Sequence, residues 1–128
     1  MSKPIIFISH QRIKEGKKEG YIEYYRQVAE HARQNKPGTL SHIAYLDEDG
    51  GLVSVIHTFP DAKAMEDHMF GVDELARKAR DYMEIVSMDI FGSPSEPVLN
   101  FIKQVAGSGV VVNFKPNWIG GYFRSITD

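Results

Sequence analysis

Two side chains suggest chemistry from type and placement, His68 and Asp89. An imidazole exchanges its proton near neutral pH, so His68 can serve as acid, base or hydrogen-bond donor to a phenolic or quinone oxygen. Asp89 follows Ser87 by two residues, the period of one strand face, where a carboxylate can take a proton from a phenol or orient a water. Each also has a plainer reading. His68 can be a helix residue satisfied by a backbone carbonyl or a subunit contact, and Asp89 one half of a surface ion pair. The other histidines do not extend the pattern: His42 and His57 fall near the same end of a hairpin but are expected on opposite faces, with His10 at the far end of the sheet. No three nitrogen or carboxylate ligands converge by spacing, so no metal site is expected. The absence of cysteine removes thiolate zinc sites, disulfides and cysteine nucleophiles. Gly107-Ser108-Gly109 is too short for a phosphate loop and follows a helix rather than opening one.

The elements that must position these groups follow from hydrophobic period and turn chemistry. Pro4 to Gln11 is rich in β-branched and aromatic residues and reads as a central strand. From about Gly16 to Asn35, residues Tyr21, Tyr25, Val28, Ala29 and Ala32 recur at helical spacing, and Lys36-Pro37-Gly38 ends the run. Leu40 to Leu46 and Leu52 to Phe59 are two strands joined through Asp47-Glu48-Asp49-Gly50-Gly51, with Gly50 supplying a positive φ. Asp61 is the expected N-cap of a second helix carrying Met65, His68 and Met69. Gly71 interrupts that helix, and it is expected to resume from Asp73 to Tyr82 before a strand over Glu84 to Phe91. The order β-α-β-β-α-β predicts an α+β, ferredoxin-like fold with a four-stranded antiparallel sheet over residues 1–92. Residues 93–128 form a C-terminal extension: a helix over Ser95 to Ala106, a strand over Val110 to Phe114, and an extended piece near Trp118 to Phe123. It is expected to pack on the same domain or on a partner subunit.

Right-handed crossovers place both long helices on one side of the sheet and leave the other bare. Period-two parity assigns Ile6, Ile8, Val53, Val55, Val86, Met88 and Ile90 to the helix side. It assigns Phe7, Ser9, Gln11, Ser54, Ile56, Thr58, Ser87, Asp89 and Phe91 to the bare side, and pairing of residues 46 and 52 across the hairpin adds His42 and Ala44. A half-apolar bare face calls for a cover, either a second copy of the chain around a cavity or the chain's own tail. The candidate pocket is therefore Phe7, Ser9, Gln11, His42, Ser54, Ile56, Thr58, Ser87 and Phe91, with His68 and Asp89 as its reactive groups.

The segment Thr58-Phe59-Pro60-Asp61 leading into Ala62-Lys63-Ala64-Met65-Glu66-Asp67-His68, within the six-element order, resembles the antibiotic-biosynthesis monooxygenase family of dimeric α/β barrels. The likeness covers residues 4 to 92. It implies a homodimer with one cavity per subunit, and the oxidation of aromatic polyketides or quinols by molecular oxygen without metal or flavin. A haem-degrading branch of the family uses an Asn on the first strand, a Trp on the second helix and a His further along it. Ser9, His68 and Ala79 stand at those places, so the iron ligand is missing.

Composition agrees with a small-molecule site. The 128 residues suit one domain, and 15 basic against 17 acidic residues, scattered along the chain, provide neither a nucleic-acid footprint nor a basic membrane patch. The N-terminal apolar run is too short for a signal-peptide core or a membrane span. The expectation is a cytoplasmic, cofactor-independent monooxygenase acting on an electron-rich aromatic, a quinol or polyketide-like molecule, with no cofactor and no metal. The alternative is a non-catalytic small-molecule binding dimer of the same fold.

Overall fold

The structure, a computed structural model, describes residues 3–71 and 74–124. Strands β1 (Ile5–Ile13), β2 (Ser41–Leu46), β3 (Leu52–Phe59), β4 (Met83–Phe91) and β5 (Val111–Lys115) form one sheet in the order β2-β3-β1-β4-β5. Every pairing is antiparallel except β4 with β5. The helices are α1 (Lys18–Asn35), α2 (Ala62–Phe70) and α3 (Glu96–Ala106). This is the expected ferredoxin-like α+β fold with a fifth strand added. The helix–strand extension supplies it, because α3 provides the crossover that a parallel strand needs.

Local chemistry accounts for the element ends. Gly50 adopts φ 77° in the hairpin loop, and the Asp47 carboxylate accepts from the backbone N–H of Gly51 and of Leu52 at 3.1 and 3.2 Å. Asp61 caps α2 by accepting from Ala64 N–H at 2.8 Å. Gly71 turns to extended backbone and ends α2. In place of the expected resumed α-helix there is a 3₁₀ turn, Ala76–Asp81, none of whose side chains is buried, so no apolar stripe holds it in a longer helix. The expected helix start, Asp73, lies outside the described residues.

The core forms two clusters on one side of the sheet. Under α2 and α3 lie Ile5, Phe7, Phe59, Met65, Ile90, Val98 and Ile102. Beside α1 lie Ile13, Tyr21, Val53, Val55 and Met83. All three helices thus cover the same face, and α3 does not fold across the bare one. Beyond β5, residues 116–124 adopt no regular element, with Ile119 fully exposed and Tyr122 nearly so. Among the described residues no helix is long and apolar enough to cross a membrane.

The register corrects the parity expected from sequence. Phe7 pairs with His57, Ser9 with Val55 and Gln11 with Val53. Residues opposite one another share a face, so Phe7, Ser9 and Gln11 belong to the helix side, and Ile6 and Ile8 to the bare side. Both alternations of β1 are apolar at their start, and only pairing distinguishes them. In the hairpin Leu46 pairs with Val53, not with residue 52, because Asp47 and Leu52 close the turn. A slip of one residue reverses the face of a whole strand, so His42 and Ala44 also move to the helix side. A β-bulge at Val86 opposite His10 and Gln11 has the same effect locally. It puts Ile85 against the core and Val86 beside His10 and Ser54 on the bare face.

Candidate functional site

A cavity of about 650 Å³ opens between the helices and the sheet, walled by residues of both core clusters. Its polar lining includes Ser9 and Gln11 of β1, Tyr21, Tyr24 and Tyr25 of α1, His42 of β2, His57 of β3 and His68 of α2, with the cationic Lys36, Arg77 and Arg80 also in the lining. Hairpin pairing puts His42 directly opposite His57, and the helical spacing of α2 brings His68 down over both. The three ring centroids lie 4.5 Å (His42–His57), 5.7 Å (His42–His68) and 5.5 Å (His57–His68) apart. One ring nitrogen from each falls within 4.8 Å of the other two. His42 and His57 therefore share a face, and three nitrogen ligands do converge, contrary to both sequence expectations. Linear spacing could not show it: the residues sit on three elements whose approach depends on register and helix docking.

Each imidazole is oriented by a bond at Nδ1. His57 donates Nδ1–H to the Phe7 carbonyl at 3.0 Å, which fixes its tautomer because a carbonyl only accepts. His42 Nδ1 meets the Tyr25 hydroxyl at 2.8 Å, and His68 Nδ1 the Thr39 hydroxyl at 2.8 Å. Burial is the main reason that the imidazole of His57 is held neutral, its pKa well below the ordinary histidine value. Repulsion from His42, His68 and Lys36 acts in the same direction, and the Phe7 bond opposes it. Tyr21 donates to Gln11 Oε1 at 2.7 Å, and Gln11 Nε2 donates to Ser9 Oγ at 3.0 Å. Burial raises the phenols of Tyr21 and Tyr25 far above their ordinary range, so both remain protonated donors.

The residues expected to share one pocket are divided by the sheet. Phe7, Ser9, Gln11, His42 and His68 line the cavity. Ser54, Ile56, Thr58, Ser87, Asp89 and Phe91 belong to the opposite face, in register with Ile6, Ile8 and His10. There His10 bridges Ser54 Oγ (2.8 Å) and Asp89 Oδ2 (2.7 Å), while Asn113 donates to Asp89 Oδ1 at 2.9 Å. The bond from His10 is the largest cause of the lowered Asp89 pKa, reinforced by Asn113 and Lys115. Thr58 accepts from Ser41 at 2.8 Å, and Lys115 lies over the Phe91 ring at 5.7 Å. Sequence reasoning missed His57, Tyr21 and Tyr25 as parts of the cavity wall and Thr39 as the hydroxyl partner of His68. For His57 a signal existed: it and His42 are equidistant from the closing pair Asp47–Leu52, which a correct turn assignment turns into a cross-strand pair.

The ferredoxin-like α+β fold leaves a cavity between sheet and helices whose polar groups stand on an apolar background, the general character of a small-molecule pocket. Residues 4–70 match the antibiotic biosynthesis monooxygenase family, and the chain belongs to that family. No curated protein matches the sequence. Among solved structures, MupZ from Pseudomonas fluorescens superposes with a TM-score of 0.73 at 18% identity, over 98% of this chain and 99% of that one. SnoaB from Streptomyces nogalater, a cofactor-independent oxygenase, gives 0.62 at 14% identity over 73% and 96%. A putative antibiotic biosynthesis monooxygenase from Bacteroides thetaiotaomicron gives 0.54 at 19% identity over 65% and 85%. At these identities the likeness is one of fold.

Proposed function

We propose that this chain is a monooxygenase acting on an electron-rich aromatic, a quinol or polyketide-like molecule, bound in the cavity between helices and sheet. The observation that carries this reading is the convergence of His42, His57 and His68 on one wall of that cavity. Family membership and the fold shared with SnoaB support it. The apolar walls, among them Phe7, Val55, Met88 and Phe101, suit a planar apolar ring, and the three imidazoles face the part of the cavity where a hydroxyl would sit. His68, half-buried on the cavity wall, is the acceptor for a phenolic proton, with the phenol of Tyr25 close by to hydrogen-bond the resulting oxyanion, while His57, whose cation burial disfavours, accepts a hydrogen bond from the substrate hydroxyl through Nε2. The ionised ring supplies the electrons that reduce dioxygen. For a ring methylene the balance is CH₂ + O₂ → C=O + H₂O, one oxygen entering the product and the other leaving as water. The site then needs to desolvate, orient and deprotonate the substrate.

We place the reaction in a cytoplasmic homodimer joined through the bare sheet face, where Ile6, Ile8 and Ile56 lie between the exposed Ile43 and Tyr45 and the half-covered Phe91. In this assembly Trp118, Ile119 and Tyr122 of the extension rest on the partner subunit. Asp89, on the interface side of the sheet, is then a structural residue, and His68 retains a part in the reaction.

Oxygen consumption with a panel of hydroquinones and anthrone-like phenols tests the reading. Uptake with at least one substrate is expected, reduced at least about tenfold in His68→Ala, in the range typical of lost acid–base catalysis. Ligand binding without any uptake would leave the non-catalytic binding dimer as the better description.

A further inference from the structure

We infer that His42, His57 and His68 form a binding site for one divalent first-row transition-metal ion, whose remaining coordination faces the cavity. Three features of the geometry point to it. A nitrogen of each ring lies within 4.8 Å of the other two. The three residues come from β2, β3 and α2, so the cluster is held from three directions rather than along one flexible segment. Every ring is also gripped at Nδ1 by an oxygen: the Phe7 carbonyl, the Tyr25 hydroxyl and the Thr39 hydroxyl. Such outer partners orient ligating histidines, and for His57 the Phe7 carbonyl, which only accepts, leaves Nε2 with the free lone pair.

The dimensions fit an ion of this size. With metal–nitrogen bonds of about 2.0–2.1 Å in tetrahedral geometry, ligand nitrogens sit about 3.3 Å apart and ring centroids about 5.2 Å apart. The observed centroid separations, 4.5, 5.5 and 5.7 Å, straddle that value. Rotations of the half-buried His42 and His68 that move each nitrogen by about 1 Å complete the site. Three imidazole ligands with a further position open toward a cavity follow the catalytic rather than the structural pattern of metal ligation. Imidazole sets favour zinc, iron, copper, nickel and cobalt over magnesium or calcium. The expected occupant is therefore Zn²⁺, Fe²⁺ or a neighbour of these.

This inference shares the cavity with the oxygenase reading and alters it. A bound cation would acidify a phenol by direct ligation, the role otherwise given to His68. The metal site itself does not depend on the substrate, and the test separates the two.

Protein stripped with a chelator is titrated with Co²⁺, read by visible d–d absorption, and with Zn²⁺, read by calorimetry and by the shift in thermal unfolding. One ion per chain is expected, with low-coordinate Co²⁺ intensity and a raised unfolding temperature. Binding should fall at least about 100-fold in His42→Ala and His68→Ala, about 10–100-fold in Tyr25→Phe, which alters only the outer partner of His42, and not at all in His31→Ala. His57→Ala removes a buried ring and is read only if it folds; the half-buried His42 and His68 keep the test decisive if it does not. Co²⁺ binding absent from the natural protein, or retained by the His42→Ala/His68→Ala double variant, overturns the site. Oxygen uptake by metal-free protein together with no Co²⁺ binding would remove the metal and leave the oxygenase standing. Stoichiometric Co²⁺ without uptake under any metal would do the reverse.

Discussion

His57 shows how far one side chain can depend on its neighbours. Its ring is buried against Phe7 and Phe59, at centroid distances of 5.2 and 6.2 Å, and is bonded to the Phe7 carbonyl. Burial first, and the neighbouring His42 and His68 second, disfavour its cation. A histidine whose folded pKa is depressed contributes stability that is fully present above its unfolded pKa of about 6.5 and is lost as pH falls toward the folded value. Urea unfolding should therefore show stability falling below pH of about 6.5, with a slope of up to about 1.4 kcal/mol per pH unit from this group. A His57→Asn variant should show a shallower dependence between about pH 6.5 and 5, and identical slopes would sink the assignment. Asp89 has the same sign at lower pH, because His10 and Asn113 stabilise its carboxylate. Its role lies on the opposite side of the sheet from the cavity, where it ties β1, β4 and β5 together through His10 and Asn113.

At the scale of elements, turn and cap chemistry determine which histidines meet. The Asp47 carboxylate sets the hairpin register through Gly51 and Leu52, and that register places His42 opposite His57. The start of α2 depends on Asp61, whose side chain satisfies the Ala64 N–H. Asp61→Ala should cost about 0.5–2 kcal/mol of stability. Because α2 carries His68, the same variant should lower oxygen uptake more than an equally destabilising change on the outer face of α1, such as Glu23→Gly. Equal losses for equal destabilisation would argue that the placement of α2 does not matter. The extension behaves as part of this layer: α3 buries Val98 and Ile102 against Met65, and Phe101 reaches the cavity wall beside Phe70, 5.4 Å between ring centroids.

For the whole molecule, an apolar sheet face without helices and an apolar C-terminal segment without a regular element are both left at the surface. Ile43 is 45% exposed, Tyr45 67% and Tyr122 82%. A face of this kind exceeds what single scattered apolar residues explain and is expected to join a second copy. Ile43→Lys with Ile56→Lys should convert a dimer to a monomer in light scattering, since two charges would have to be buried without partners. A natural protein that is monomeric at micromolar concentration would contradict the assembly. Residues 117–124 removed by truncation should weaken the dimer without unfolding the domain, because none of their side chains is buried in the core.

The sequence by itself determined the element order, the Asp61 cap, the Gly50 turn and the family, because these depend on local spacing and backbone chemistry. It also singled out His68, Phe7, Ser9, Gln11 and His42, all of which line the cavity, although it put the four strand residues on the wrong side of the sheet. The β1 alternation was ambiguous because Ile5, Ile6, Phe7 and Ile8 are all apolar, and the hairpin was misread by one residue, which was enough to separate His42 from His57. The bulge at Val86 has no local signature. Tertiary structure alone decided which nitrogens converge, since the approach of β2, β3 and α2 is fixed by strand register and by burial of Met65 and Phe59. Neither is encoded in the spacing of the three histidines.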